Sequence, residues 1–218
     1  MTQSMQKNGL ILAAFALVTT ALIALTDMFT RPIIAEQQRN ELQQTLNSII
    51  PPDWHDNELE QDCTRVTAPD LLGNQEPKTL YRASLNGEPQ ALAIETMTPN
   101  GYSGNIHLLV GIDMQGVISG VRVLQHRETP GLGDKIDRRI SDWILSFDGK
   151  SLDNTHPQSW AVRKDGGDFD QFTGATITPR AVIEAVRDTL VFASENRQRI
   201  LQAPNQCGPT TQAEDEHE

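Results

Sequence analysis

The first long apolar run, Gly9 to Thr26, carries no charged side chain and consists mostly of Ala, Leu, Ile and Val. It predicts one helix near the lower length limit for crossing a bilayer. Polar and apolar positions then mix. Glu36 to Ile50 is Gln-rich and charged, with Leu42, Leu46 and Ile49 or Ile50 on one side, a juxtamembrane helix that Pro51-Pro52 ends. Leu80 to Ser84 and Ala91 to Met97 read as strands joined through Leu85-Asn-Gly-Glu-Pro89, where Asn-Gly is a hairpin signal. Gly101 to Asp113 and Val117 to Leu124 read as a second hairpin around the turn composition Asp113-Met-Gln-Gly116. Ile136, Ile140, Trp143, Ile144 and Phe147 follow with helical spacing and predict a core stripe, and Trp160 to Arg163 is β-like. Val182, Ala185, Val186, Leu190 and Ala193 draw the apolar stripe of a last helix reaching about Arg199. Pro179 suits the first position of that helix, with Thr178 as its N-cap.

These elements predict the class α+β: a single N-terminal transmembrane helix followed by one α+β domain with a hairpin-rich sheet. The expected boundaries are a short cytoplasmic N-terminus at 1–8, the transmembrane helix at 9–26, a juxtamembrane helix and linker at 27–52, one globular domain at 53–204 and an acidic tail at 205–218. Lys7 is the sole basic residue before the apolar run, a weak signal that favours the N-terminus inside. A cleaved signal peptide is the rival reading, since Ala24-Leu25-Thr26 is a passable small-x-small site.

A formal net charge of −11 argues against a nucleic-acid surface, which needs clustered Lys and Arg. Two cysteines, Cys63 and Cys207, cannot supply the four thiolates of an iron–sulfur cluster. In an oxidising compartment they tie the ends of the globular part together; otherwise they are two buried thiols. His126 and Glu128 are ligand types, but the five histidines are scattered without a second close pair, so no metal site is expected. A Gly-x-Ser-x-Gly elbow and a P-loop are both absent.

The candidate chemistry lies in Asp170-Gln-Phe-Thr-Gly-Ala-Thr-Ile-Thr178, which places a threonine hydroxyl at the mouth of the last helix. Free backbone N–H groups and the positive end of the helix dipole favour a phosphate there, and Gly174 permits close approach. Taken alone, Thr and Gly before a helix are ordinary start signals. Lys164-Asp-Gly-Gly-Asp168 is a turn-rich approach in which Lys164 is either a surface lysine or a charge offered to the phosphate. His126-Arg-Glu-Thr-Pro-Gly-Leu-Gly-Asp-Lys135 forms the exit loop of the second hairpin, where Gly131 and Gly133 permit unusual backbone.

The Asp-x-x-Thr-Gly-Ala-Thr pattern resembles the flavinylation signature of the FMN-binding domain, found in the G subunit of Rnf/Rsx electron-transport complexes and the C subunit of the sodium-pumping NADH:quinone reductase. The match falls on Asp170, Thr173, Gly174, Ala175 and Thr176. The Gly101 to Asp113 and His126 to Lys135 blocks resemble the Rnf G subunit in particular. The resemblance implies that 53–204 is the FMN-binding domain and that FMN is joined covalently by a phosphoester to Thr176. Thr173 and Thr178 are then decoys, and Asp170 shapes the loop or is read by the attaching enzyme. It also implies that Glu128, Thr129 and their neighbours Gly131 and Leu132 line the flavin ring, with Lys164 beside the site. The chain would be an uncleaved single-pass protein of the bacterial inner membrane with its domain in the periplasm. It would relay electrons inside a complex that couples ferredoxin/NAD(H) exchange to Na+ or H+ movement, or in the Rsx context keeps a redox-sensing regulator reduced. The implied partners are the other membrane subunits and an FMN transferase. No acid–base pair of the chain's own is expected, because the redox chemistry belongs to the flavin.

Overall fold

The computed structural model describes residues 2–207, with side chains from residue 6 onward, so the acidic residues 213–218 lie outside the described residues. The chain divides into two compact units, Met1–Leu42 and Gln43–Glu218.

The first unit is helical. Helix α1 spans Thr2–Ile49 without interruption, where the sequence pattern had separated a membrane segment from a juxtamembrane helix. Pro32 sits inside it: one proline removes one hydrogen bond, and the turns on either side continue. Leu10, Phe15, Leu22 and Ile23 are all more than half exposed, so this helix is apolar on the outside, long and apolar enough to cross a membrane. The hydroxyls of Thr19 and Thr26 donate to the carbonyls of Phe15 (3.0 Å) and Leu22 (2.9 Å), which removes unpaired donors from a surface that suits hydrocarbon. The first charged pair after the apolar run, Asp27 and Arg31, closes at 2.6 Å.

The second unit is built on an antiparallel meander of β1 (Cys63–Val66), β2 (Lys78–Leu85), β3 (Glu88–Gly101), β4 (Gly104–Asp113) and β5 (Ile118–Gln125), paired in sequence order. Both predicted hairpins form. Asn86 (φ 53°) and Gly87 (φ 79°) take the two left-handed positions of the tight β2–β3 turn. Asp113 Oδ1 accepts from the Gln115 and Val117 N–H groups, both at 2.8 Å, and shapes the β4–β5 turn. A further turn at Gly101–Gly104, inside what reads as one strand block, joins β3 to β4.

Adjacent residues on a strand face opposite ways, which sorts the sheet into two buried faces. On one, Leu92, Ile94, Val110 and Val121 pack with Val182, Val186 and Leu190 of helix α3 (Ile177–Gln202); the short helix α2 (Pro69–Leu72) lies between β1 and β2 in the chain. On the other, the paired Gly111 and Gly120 open a groove for the end of α1, where Leu46, Ile49 and Ile50 are at most 1 % exposed. A Cβ at Gly120 would lie 3.0 Å from Ile49 Cα. Arg122 reaches out of the sheet to donate to the Ser48 carbonyl at 2.9 Å, a cation at a helix C-terminus. Gly120→Val is therefore expected to overpack this groove and lower stability by about 1–3 kcal/mol, read by denaturant unfolding; an unchanged midpoint would contradict the packing.

Three expectations are corrected. The Ile136–Phe147 stripe is not a helix but two 3-10 turns, Gly133–Ile136 and Trp143–Phe147, with Ile140 left 56 % exposed. Asp137 explains the break, since its side chain accepts from the Arg139 N–H (2.9 Å) and guanidinium and so offers the backbone an alternative to the next helical turn. Trp160 to Arg163 makes only an isolated bridge, Val162 to Phe169. Helix α3 begins at Ile177, so Thr176 rather than Thr178 is its N-cap and Pro179 is its third residue.

Candidate functional site

At the end of the sheet a cavity of about 420 Å³ opens between the β3–β4 turn, the loop after β5 and the start of α3. That volume is within the roughly 300–1,000 Å³ typical of small-molecule sites. Its walls include Glu128, Thr129 and Leu132 from the loop, and Gly174, Ala175 and Thr176 from the threonine motif. Tyr102, Gly133, Ile177 and Thr178 also line it, and sequence reasoning had assigned none of these four to a site. Gly131, Lys164, Asp170 and Thr173 are not among the lining residues.

The motif loop is held from beneath by an aromatic cluster. Phe172 meets Trp143 edge-on at 5.1 Å between ring centroids, and Phe169 lies 4.6 Å from Phe147. Trp143 Nε1 donates to the Asp170 carbonyl at 2.7 Å. The Asp170 carboxylate pairs with Arg163 at 2.9 Å on the exposed surface, and Asp170 is not among the residues lining the cavity. The Lys164 side chain is exposed, and its N–H donates to Gln171 Oε1 at 3.2 Å. Arg180 grips Asp165 through two bonds of 2.7 and 2.9 Å, and holds that carboxyl below the usual range.

The threonines of the motif have different environments. Thr173 is exposed and outside the cavity lining. Thr178 is fully buried, and its hydroxyl donates to Glu128 Oε2 at 2.5 Å. Thr176 lines the cavity at the N-cap of α3, yet its side chain makes no capping hydrogen bond. Two local features account for this. Its backbone is right-handed helical (φ −88°, ψ −21°) instead of the extended form from which a capping side chain folds back. Pro179, at the third helical position, lacks the N–H that such a cap usually meets. The Thr176 hydroxyl and the free N–H groups of the first turn thus remain available in one place, where the helix dipole favours an anion. Gly174 (φ +83°) makes the sharp approach, with Leu132 closing on it.

Glu128 ties the walls together. Its carboxyl, 4 % exposed, accepts from Thr178 and, at 3.0 Å, from the Ser103 N–H of the β3–β4 turn. Its own N–H donates to His126 Nδ1 at 3.1 Å, and His126 Nε2 lies 3.8 Å from Asp137 Oδ2. Arg139 hydrogen bonds keep the Asp137 carboxyl below its ordinary range. A Cβ at Gly133 would sit 2.7 Å from Glu128 Oε2 and 2.9 Å from Thr178 Oγ1, so any larger residue there must displace this buried pair. Among the described residues no group of three or more His, Cys, Asp or Glu is arranged around a metal position. Thr178→Val, which keeps the shape but orphans the Glu128 oxygen, is expected to destabilise the domain by about 1–3 kcal/mol. Thr178→Ser is expected to recover most of that loss in the same thermal melt, and equal melting of Val and wild type would remove the bond from the account.

A phosphate-bearing cofactor would fit with its anion at Thr176, Gly174 and the first turn of α3, and with Tyr102, Glu128, Thr129 and Leu132 among the other walls. Similarity to known proteins points the same way. Residues 101–191 match the FMN-binding domain family, and residues 1–49 match the RnfG N-terminal region. The chain is 53 % identical over 212 residues to the G subunit of the ion-translocating oxidoreductase complex of Vibrio parahaemolyticus, covering 97 % of this chain and 100 % of that protein. It is 52 % identical to the corresponding protein of Shewanella amazonensis, over 95 % of this chain and 96 % of that protein. The Pseudoalteromonas atlantica counterpart is 50 % identical, with the same coverage of 95 % and 96 %. With both family regions present and near-complete coverage at about half identity, this chain belongs to the RnfG family, the G subunits of ion-translocating oxidoreductase complexes, and contains its FMN-binding domain.

Proposed function

We propose that this chain carries FMN covalently through a phosphoester on Thr176 Oγ1 and relays electrons within an Rnf/Rsx-type complex. The observation that carries the reading is the Thr176 hydroxyl, unused for capping and placed in the cavity at a helix N-terminus. When bound, the flavin supplies the electron-transfer chemistry. The chain's own residues tether, orient and enclose. Thr176 holds the phosphate, the first-turn N–H groups of α3 offset its charge, and Glu128 sets the spacing between the loop after β5 and α3. A separate FMN transferase attaches the group: the Thr176 oxygen bonds to the FMN phosphorus of FAD, the pyrophosphate bond breaks, AMP leaves and the hydroxyl proton is lost. Asp170 and its pair Arg163, on the outer side of the loop, suit recognition by that enzyme.

The working context is the bacterial inner membrane, with α1 as a single-pass anchor and the domain in the periplasm. The Cys63–Cys207 disulfide supports this placement, since such bonds persist in oxidising compartments. The other membrane subunits are the redox partners, in a complex that couples ferredoxin/NAD(H) exchange to Na+ or H+ transport or, in the Rsx setting, keeps a redox-sensing regulator reduced. A covalent tether keeps the cofactor from escaping into a dilute compartment. The test is peptide mass analysis of the chain purified from its own membranes under denaturing conditions. An FMN-sized addition on the peptide holding Thr176, localised to that residue, is expected. An unmodified Thr176 with the transferase present and active would reduce the chain to a scaffold or a reversible binder.

A further inference from the structure

In the second unit, the large apolar side chains left exposed among the described residues are Tyr102, Leu124, Leu132, Ile140 and Ile177. Three of these, Tyr102 (69 %), Leu132 (40 %) and Ile177 (47 %), line the cavity that contains Thr176. They come from three separate segments, the β3–β4 turn, the loop after β5 and the first turn of α3. Apolar surface left in water and gathered at one opening marks a place where something apolar sits. The cavity is thus divided: an anion-favouring end at Thr176 and the helix N-terminus, and an apolar mouth.

Tyr102 is the sole aromatic residue of the lining, and its mounting is unlike that of the other two. The turn that bears it is fixed by the Ser103 N–H bond to Glu128 Oε1 at 3.0 Å, the same buried carboxyl that holds the start of α3. Gly104, at φ +109°, completes the turn. The backbone under Tyr102 is therefore set in register with Thr176, while its ring is free to meet a planar partner.

We propose that Tyr102 stacks on the isoalloxazine ring of the flavin carried by Thr176, with Leu132 and Ile177 completing an apolar collar at the mouth of the cavity. The occupant follows from the tether: a short ribityl chain fixed at Thr176 confines the ring to the residues lining that same cavity. Tyrosine offers an offset-stacking face, and an aromatic pair of this kind shifts the balance of stacked over open ring by roughly 2- to 10-fold. This inference rests on the attachment to Thr176, and it assigns the ring position that the attachment leaves open.

The test uses the full chain, loaded in its own membranes, purified in detergent and compared as wild type, Tyr102→Ala, Tyr102→Phe and Ile140→Ser. Loading is read by mass, and flavin fluorescence yield, anisotropy and midpoint potential are read on the loaded protein. An electron-rich phenol in contact with a flavin quenches its fluorescence. Tyr102→Ala is expected to load fully, fluoresce several-fold more strongly and lose anisotropy. Tyr102→Phe is expected to retain the anisotropy while losing part of the quenching. Ile140→Ser, which changes an exposed apolar residue outside the lining, is expected to match wild type in every reading. Loaded Tyr102→Ala with wild-type fluorescence and anisotropy overturns the inference and leaves the Thr176 attachment standing. So does a Tyr102→Ala chain that stays unloaded beside loaded wild type, which would place Tyr102 in recognition by the attaching enzyme. Unloaded wild type overturns the attachment itself, and the stacking with it.

Discussion

Thr176→Ala is expected to abolish covalently held flavin and electron transfer through the chain while leaving the fold as stable as wild type. Removing an N-cap hydroxyl ordinarily lowers stability by about 0.5–2 kcal/mol, because a first-turn N–H loses its acceptor. Here no such bond exists to lose: the Thr176 side chain makes no capping contact, and Pro179 presents no N–H at the third position. The expected change in unfolding free energy is within about 0.5 kcal/mol, as for a substitution outside the core. Flavin fluorescence that survives denaturation, electron transfer in membranes and a thermal melt together make the measurement. Thr176→Ser, which keeps the oxygen, is expected to retain flavin. A Thr176→Ala chain that keeps covalent flavin would move the attachment elsewhere, and one that fails to fold would show that the hydroxyl has a structural role the geometry does not reveal.

The second large effect belongs to the disulfide. Cys63 and Cys207 are bonded across a sequence separation of 144 residues, with their Cα atoms 5.3 Å apart. In the chain-entropy picture closing so long a loop restricts the unfolded state by about 5 kcal/mol, and typical realised values are about 2–4 kcal/mol. The bridge also holds a strap on the outer edge of β1. Gln206 N–H donates to the Cys63 carbonyl at 2.8 Å, and the side chains of Asn205 and Gln206 accept from the Cys63 and Arg65 N–H groups at 3.1 and 3.0 Å. That strap satisfies an edge which would otherwise be open to pairing with another chain. Replacing both cysteines by serine is expected to lower Tm by roughly 5–15 °C, and a reductant is expected to do the same to wild type. Reduced and oxidised protein melting together would show that the strap holds without its bond.

Much of the fold follows from local chemistry. The strands and the two predicted hairpins are legible because Asn86-Gly87 and Asp113 to Gly116 carry their own turn preferences. The stripe on α3 is legible because one sheet face buries it along its length. Ile136 to Phe147 is not, since helical spacing there is produced by two short turns that both aim residues at the core while the Asp137–Arg139 bonds interrupt the helix between them. Asn-Gly and Asx preferences act within a few residues, and at Asp137 such a local bond competes with a helical spacing that periodicity alone reads as continuous.

The same division runs through the site. An apolar N-terminal helix long enough for a bilayer, an α+β class, an acidic net charge and a threonine motif set before a helix are all written in composition, periodicity and residues adjacent in the chain. That Thr178 is not free was decided by a tertiary contact, while the release of Thr176 has a local cause. Thr178 is taken by Glu128, 50 positions away, whereas Thr176 is released by the backbone it adopts and by the missing N–H of Pro179. Folding also brought Tyr102, Leu132 and Ile177 to one opening and closed Cys63 onto Cys207. These contacts join residues distant in the chain, and the way such segments meet is fixed by the packing of sheet against helix rather than by any local preference.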